Sequence, residues 1–381
     1  MTHAYDALVI GAGYIGCAVA YHLTAAGLNT ALLDRGSVAA GASRANYGNV
    51  QVQDAELTHS LPMITAGFAC FEHLEEELGC AVGYRPLGSL LLIETEAQWQ
   101  TMAARLPGLH AAGIRAEIVP ASHLSEIEPL LDAHTVLGAC YHPYEGQLDP
   151  FALIWAYLRR ALACGLSLHP HTEVVGFEVQ GGRLQGVHTN RGYFSAGVVV
   201  LCTGAWTPQL GQALGRKWAI QHVHGQALVT EVTDLRLGSH IASAAFFENI
   251  ESSDANGAVL AVSPTAHGNF LLGEAGIVTT ALGSEATPAG QAAVAAVVVK
   301  YLPRLSRLRV LRGWAAPVAF TPDGLPYFGP VTDVPNLILA TAFKSTVIVT
   351  PLVGKIVTQL VVDGHTTLDL APFSPDREIR G

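Results

Sequence analysis

The stretch ALVIGAGYIGCAVAYHLTAAGLNTALLDR, residues 7–35, constrains the fold more than any other part of this chain. Gly11, Gly13 and Gly16 lie between an apolar run that predicts a strand and a segment whose spacing predicts a helix. These glycines would allow a tight turn, close approach of the backbone to a pyrophosphate, and close packing of helix on strand. Asp34 follows the next apolar strand, 18 residues after Gly16, where its carboxylate could accept hydrogen bonds from an adenosine ribose. The pattern predicts a βαβ unit that binds a dinucleotide without a 2′-phosphate, FAD or NAD rather than NADP.

Composition narrows the class of protein. A length of 381 residues leaves room for two domains, and 50% hydrophobic residues with 39 glycines favour an α/β protein with buried parallel strands. The net charge of −10 argues against a nucleic-acid partner, because phosphate binding needs a basic face. The six cysteines lack metal-site spacing, so we expect reduced thiols and no metal. Neither a signal peptide nor a transmembrane segment is indicated, so we expect a cytoplasmic protein, peripheral to the inner membrane only through partners.

One short segment is strongly basic in this acidic chain. It contains Lys300, Arg304, Arg307, Arg309 and Arg312. A solvated helix end explains such a run, and a face on which another protein docks is the alternative.

The order of predicted elements indicates that two domains are interleaved. Segments 1–50, 145–215 and 312–381 carry the glycine motif and the buried apolar strands, so we assign them to the dinucleotide domain. Segments 51–144 and 216–311 would form an inserted substrate domain of α+β type around an antiparallel sheet.

Two further segments favour FAD over NAD. The nucleotide domain of an NAD dehydrogenase is usually contiguous, whereas here GASRANYGN follows the acidic residue and CTGAW ends a distant strand. Candidate contacts to the pyrophosphate, the ribityl chain or a flat ring are Ser43, Arg44 and Asn49 in the first segment and Thr203 and Gly204 in the second. Taken alone, CTGAW is also compatible with a simple strand end followed by a helix cap.

With these motifs in place, the chain resembles the FAD-dependent family that includes D-amino-acid oxidase, glycine oxidase and sarcosine oxidase. The resemblance covers nearly the whole chain and rests on VIGAGYIGCAVAYHL, GLSLHPHTEVVGF, VVVLCTGAW, GWAAPVAFTPDGLPYFGPV and NLILATAFKSTVIVTPLVGKIV. It implies an α/β fold with a Rossmann-like FAD-binding domain of the glutathione-reductase type. It also implies that residues 344–348 line the isoalloxazine and that the backbone of Val174 holds the adenine. The resulting set of cofactor-binding residues is Gly11, Gly13, Tyr14, Ile15, Gly16, Asp34, Arg35, Ser43, Arg44, Gly48, Asn49, Val174, Thr203, Gly204, Trp206, Lys344, Ser345, Thr346, Val347 and Ile348.

Within the family, GASRANYGNVQVQ and AFKSTVIVTPLVG resemble the FAD-bearing beta subunits of heteromeric enzymes. These enzymes are opine (octopine and nopaline) oxidase, D-hydroxyproline dehydrogenase and hydrogen cyanide synthase. The resemblance implies a larger flavoprotein alpha subunit and a small iron–sulfur subunit as partners. FMN and an iron–sulfur cluster would then be located at or in those partners.

The implied reaction is oxidation of a C–N bond by hydride transfer to flavin N5. Lys344 is the candidate that would stabilise negative charge on the reduced flavin, and a surface lysine after a strand is the alternative. His224, Glu248 and Gln53 are the other candidates for the substrate pocket, and Glu248 could bind the guanidinium of an arginine-derived opine. A structural histidine and a surface carboxylate are the alternatives for His224 and Glu248.

One departure from the family concerns the substrate carboxylate. Members that bind a simple amino acid often place an arginine before the GQ of the inserted domain and another near a T..G...LG motif. Here those places hold His224 and either Ser263 or Ala266, so no carboxylate-clamping arginine is visible. This favours a larger or secondary-amine substrate. A free-standing oxidase that releases H2O2 and a non-catalytic FAD-binding scaffold are the alternative functions.

Overall fold

The computed structural model describes residues 2–52, 55–246, 258–279 and 282–379. Its strands are β1 Thr2–Ile10, β2 Thr30–Leu33, β3 Asn49–Val50, β4 Arg85–Pro86, β5 Ser89–Ile93, β6 Glu117–Pro120, β7 Gly138–His142, β8 Gly146–Gln147, β9 Ser167–His169, β10 Val174–Gln180, β11 Arg183–Thr189, β12 Gly192–Leu201, β13 Gln221–Thr230, β14 His240–Ser243, β15 Ala258–Pro264, β16 Phe270–Thr279, β17 Val310–Phe320, β18 Tyr327–Val331 and β19 Val334–Thr341. Its α-helices are α1 Tyr14–Ala25, α2 Ser60–Ala69, α3 Leu74–Leu78, α4 Glu96–Ala111, α5 Ala121–Ile127, α6 Pro150–Ala163, α7 Thr207–Ala213, α8 Pro288–Tyr301 and α9 Thr346–Val362. Short 3-10 turns include Ala42–Ala45, Gly204–Trp206 and Pro303–Arg307.

The first sheet has a parallel centre. Strands β9, β2, β1, β12 and β19 run parallel in that order, with the antiparallel strands β10 and β11 beside β12 and β18 beside β19. All four residues of β2 are buried, as expected of a parallel strand covered on both faces. The predicted βαβ unit and the α/β fold class are confirmed.

Helix α1 is buried along almost its whole length. Its sequence, YIGCAVAYHLTA, is apolar on every side, which is the pattern of a helix enclosed in the core. It packs between α6 and α9 on one face of the first sheet. The start of α6 is fixed by Asp149, whose carboxylate accepts hydrogen bonds from the backbone N–H groups of Phe151 and Ala152. These three helices hold the glycine turn at the end of β1 in place.

The second sheet has the order β17-β13-β16-β15-β14-β5-β7-β6. Neighbouring strands are antiparallel except for β14 and β5, which run parallel. The predicted antiparallel sheet is therefore mixed at one point, where strands from the two inserted segments meet. Helix α8 packs on one face of this sheet, and a small sheet of β3, β8 and β4 lies apart.

The predicted domain limits stay a prediction, but strand β17 bears on them. It pairs with β13 over Val310–Phe320, so most of it belongs to the second sheet although the predicted boundary at 312 assigns it to the dinucleotide domain. The chain then continues directly into β18 and β19 of the first sheet. Over the described ranges, none of the helices has the length and apolar character needed to cross a membrane.

Candidate functional site

A cavity of about 780 Å³ opens at the ends of β1, β2 and β12. This is the edge of a doubly wound sheet at which ligands bind. Among the sequence-predicted cofactor residues, those that line the cavity are Gly11, Gly13, Tyr14, Ile15, Asp34, Arg35, Ser43, Val174, Thr203, Gly204, Trp206 and Thr346. The structure therefore brings together residues from three of the predicted segments in one site.

The glycine turn forms the floor of the cavity. Gly11 has φ +104, in a region that favours glycine, and its N–H donates to the carbonyl of Leu33 (2.7 Å). A Cβ on Gly16 would lie 1.7 Å from the carbonyl oxygen of Gly11, so only glycine allows α1 to approach the turn. The N–H of Tyr14 donates to Oγ of Ser43 (3.2 Å). The first N–H groups of α1 have no intrahelical partner, and the helix dipole is positive here, so the site fits a pyrophosphate.

Asp34 connects the ends of the first two strands at the rim. Its Oδ2 accepts the N–H of Ala12 and its Oδ1 accepts the N–H of Gly36, both at 2.7 Å. Each carboxylate oxygen retains lone pairs for a second donor, so ribose hydroxyls can be accepted without displacing the backbone. The carboxylate thus both shapes the loop and fits the ribose of a dinucleotide.

A cationic and aromatic pair lies beside Asp34. The guanidinium of Arg35 lies over the ring of Trp206, 5.2 Å from its centroid, and 3.8 Å from the carboxylate of Glu173. Val174 lines the cavity at the same end. The guanidinium of Arg35 and the ring of Trp206 are both flat, and with Val174 they border a space that suits an adenine base.

The opposite end of the cavity is covered by the second sheet. Pro317 and Val318 of β17 line it together with Phe343. The indole N–H of Trp314 donates to the carbonyl of Ala45 (3.3 Å), which joins β17 to the turn Ala42–Ala45 of the dinucleotide domain. A ring bound at this end would lie between the two sheets, away from solvent.

Helix α9 begins next to that covered end. Ala342, at the junction between β19 and α9, has φ +60, a conformation that costs a non-glycine residue about 1 kcal/mol or more. The turn brings Phe343 and Thr346 to the cavity wall. The positive end of the α9 dipole is thereby directed at the covered end of the cavity. Cys202 also lines the cavity, and burial raises the pKa of its thiol, so it stays neutral.

Several predicted cofactor residues lie outside the cavity wall. Gly48 packs against the carbonyl of Leu148, and Arg44 is exposed. Lys344 and Ser345 line a separate small pocket near Gly324, and Val347 and Ile348 are buried in the core beside α2. Gly16 does not line the cavity but packs against the carbonyl of Gly11 in the turn. The assignment of residues 344–348 to a flavin ring stays a prediction.

The predicted substrate residues are more scattered. His224 is half-buried on β13, opposite Pro317, and does not line the cavity. Gln53 and Glu248 lie outside the described residues.

Asn49 belongs to a polar network that sequence reasoning missed. The hydroxyl of Ser263 donates to Oδ1 of Asn49 (2.9 Å) and lies 2.7 Å from Nδ1 of His240. Burial lowers the pKa of His240 to about 4, so at neutral pH it acts as a neutral hydrogen-bonding ring. These three residues tie the loop after Ala42–Ala45 to the second sheet.

Tyr47 and Glu274 were also missed. Both are withdrawn from bulk water, and burial raises the pKa of each side chain. The sequence did carry a signal, because Glu274 is the lone charge in the strand-like run FLLGEAGIV. A charge inside an apolar strand is costly and marks a candidate functional residue.

We expect Asp34→Ala to weaken FAD binding by about 30-fold or more, because two loop N–H groups and the ribose all lose their acceptor. Quenching of FAD fluorescence on titration into the apoprotein measures the affinity. Asp6→Ala is the matched control, since Asp6 accepts one backbone N–H, from Asn29, on the same sheet far from the cavity. Equal affinities for the two variants would contradict the assignment.

Comparison with known proteins bears directly on this site. The family model described as FAD dependent oxidoreductase (DAO) matches residues 6–360. Glycine oxidase of Geobacillus kaustophilus is 26% identical over 100% of this chain and 98% of its own length. Hydrogen cyanide synthase subunit HcnC of Pseudomonas aeruginosa is 27% identical, over 98% of this chain and 96% of its own. The crystal structure of the Geobacillus kaustophilus glycine oxidase superposes with a TM-score of 0.90 at 25% identity, covering 99% of this chain and 100% of that one.

Proposed function

This chain belongs to the family of FAD-dependent oxidoreductases, and from that premise we propose that it oxidises a C–N bond of an opine or imino acid as the catalytic subunit of a hetero-oligomeric dehydrogenase. The observation that carries the proposal is the course of the cavity, from Asp34 to the covered end at Val318 and Phe343. An extended dinucleotide fits there with its reacting ring between the two sheets. Glycine oxidase, whose length matches that of this chain, supports an amino-acid-derived substrate, and HcnC, which is a subunit of hydrogen cyanide synthase, supports a place in a hetero-oligomer.

The residues of this chain have distinct parts in such a reaction. FAD, when bound, supplies the acceptor for the hydride that leaves the substrate carbon. The N–H groups at the start of α1 and the Ser43 hydroxyl, which accepts from the N–H of Tyr14, would hold the pyrophosphate, and Asp34 would hold the ribose. Pro317 and Val318 would exclude water from the ring end. The positive end of α9 favours negative charge at that end, a role that sequence analysis gave to Lys344.

The lining of the cavity bears on substrate size. Arg35 is the single arginine among the described lining residues, and it lies at the Asp34 end. No guanidinium therefore clamps a small carboxylate at the covered end of the described cavity. This supports a larger or secondary-amine substrate over a simple amino acid.

One surface supports a partner subunit. Lys300, Arg304, Arg307, Arg309 and Arg312 are all exposed, and in the sequence Arg309 and Arg312 flank Val310 and Leu311, whose exposed fractions are 48% and 63%. We call this surface the basic edge. The basic edge runs from the end of α8 through the turn Pro303–Arg307 to the start of β17. Strand β17 pairs with β13 alone among the described strands and so leaves its other side unpaired. A basic, partly apolar strand edge on a chain of net charge −10 fits an acidic surface of the larger flavoprotein subunit.

We expect octopine, nopaline or D-hydroxyproline to bleach the flavin absorbance of the FAD-loaded chain under anaerobic conditions. With O2 as acceptor the lone chain should release H2O2 at less than about a tenth of the rate at which an artificial dye is reduced. Anaerobic absorbance spectra and a peroxide assay on the same preparation check both points. Flavin that none of these amines reduces would overturn the proposal.

A free-standing oxidase is the second candidate, because the similarity to glycine oxidase extends over the full length of both chains. Peroxide release by the lone chain at the full rate of flavin reduction would establish it in place of the heteromeric dehydrogenase. FMN or an iron–sulfur cluster would be located at or in the partner subunits only in the heteromeric case.

A further inference from the structure

We propose that Glu274 binds a cationic group, a guanidinium or an ammonium, at the end of the substrate remote from the reacting C–N bond. The inference rests on the proposed function and names the substrate class of the same site. It does not depend on residues at the adenine end of the cavity.

Glu274 lies on the side of the second sheet that covers the cavity. Its neighbour Ala275 packs in the apolar core beneath α8. Adjacent residues of a strand point to opposite faces, so Glu274 points away from that core. The same face carries Val318, which lines the covered end of the cavity, and Gly225, where a Cβ would contact Val318 at 3.6 Å. The carboxylate is therefore on the same face of the sheet as Val318 of the cavity wall.

The carboxylate has no counter-charge within the described part of the chain. No hydrogen bond or ion pair to Glu274 is present there, and the side chain is half-buried. A carboxylate withdrawn from water without a partner is destabilising, and a bound cation removes that cost. A structural role in an ion pair does not account for Glu274, whereas a ligand-binding role does.

Tyr47 fixes the position of this carboxylate. A Cβ on Gly273 would lie 1.8 Å from the hydroxyl of Tyr47, so the tyrosine is packed directly on the backbone that precedes Glu274. The backbone carbonyl of Tyr47 accepts a hydrogen bond from the side-chain amide of Gln147 (3.0 Å), which anchors the loop. Tyr47 is thus a positioning residue, and its ring gives the site an aromatic wall beside the negative charge, a combination that suits a planar guanidinium.

The charge of the site selects among the proposed substrates. Opines derived from arginine carry a guanidinium several bonds away from the secondary amine, whereas D-hydroxyproline carries no second cation. A carboxylate without a counter-charge in the described part of the chain favours the former. We therefore assign the arginine-derived opines as the substrate class.

Arginine and citrulline test the assignment as binding probes, because they differ only in a charged guanidinium against a neutral ureido group of the same shape. Perturbation of the visible flavin spectrum and calorimetric titration of the FAD-loaded chain both report binding without turnover. We expect the wild-type chain to bind arginine about 10- to 100-fold more tightly than citrulline. In Glu274→Gln the preference should fall to about twofold, with the affinity for citrulline unchanged. Glu178→Gln, an exposed site on β10, is the matched control and should keep the wild-type preference.

Glu274→Gln keeps the shape of the side chain, and an unchanged FAD content with an unchanged melting temperature would show that it folds. A preference for arginine that survives in Glu274→Gln, or no preference in the wild-type chain, overturns the inference. Reduction of flavin by D-hydroxyproline in that case would leave the proposed function standing. Conversely, a preference that depends on Glu274 in a chain whose flavin no amine reduces would uphold the binding site and refute the proposed function.

Discussion

Gly16→Ala is expected to yield a chain that does not retain FAD, with an affinity at least about 100-fold below that of the wild type. The added methyl would lie 1.7 Å from the carbonyl oxygen of Gly11, so α1 must move away from the turn. Overpacking of this kind costs about 1–3 kcal/mol in a core, and here the displaced atoms are also those that hold the pyrophosphate. The ratio of flavin to protein absorbance after purification and titration of the apoprotein give the result.

Gly176→Ala is the matched control for that variant. Gly176 lies in β10 of the same sheet, and its Cβ would have nothing nearer than 4.0 Å. We expect normal FAD content and a melting temperature within a few degrees of the wild type. Stoichiometric FAD in Gly16→Ala would show that the turn is not the pyrophosphate site.

The second large effect is loss of stability in acid. Burial lowers the pKa of His22, His142 and His240 to about 4 each, from 6.5 when unfolded. Between pH 6.5 and pH 4 the unfolded chain therefore binds more protons than the folded chain, and the free energy of unfolding falls as the pH is lowered. Each histidine contributes up to about 1.4 kcal/mol per pH unit within that window, so the three together remove several kcal/mol. Urea unfolding at half-unit steps of pH measures the decline.

His142→Gln separates one contribution from the rest. Between pH 6.5 and pH 4 the free energy of unfolding of this variant should fall less steeply than that of the wild type, because one proton fewer is taken up on unfolding. The exposed His73, changed to Gln, is the matched control. Burial raises the pKa of Glu128 and Glu274, which acts in the opposite sense, but this contribution is common to all three proteins and cancels in the comparison. Parallel profiles for wild type and His142→Gln would refute the assignment.

Where the geometry is short-range, local patterns in the sequence predicted which residues lie together. The turn from Gly11 to Gly16 and the acid at Asp34 are set by short-range geometry, and the structure puts them around one cavity. The family resemblance, confirmed by the family model, added the distant segments. Within Lys344–Ile348, however, only Thr346 reaches the cavity wall, because the direction of each side chain depends on where α9 begins and on the turn at Ala342.

Contacts between distant strands could not be predicted. Asn49 contacts His240 and Ser263, although β3 and β14 belong to different sheets. No spacing of residues in the sequence predicts this contact. Tyr47 and Glu274 are brought together in the same way. The parallel pairing of β5 with β14 likewise depends on how two separate segments join one sheet.

Strand β17 gives the molecule a physical connection between its surface and its interior. Val310 lies at the basic edge, and Val318, eight residues later on the same strand, forms part of the cavity wall. At about 3.3 Å per residue the two positions are roughly 26 Å apart along a strand that pairs with β13 on both sides of a register shift at Leu311. A subunit that docks on the edge and moves β17 would therefore also act on residues of the cavity wall. Docking of a partner subunit would then affect the rate of turnover through this strand.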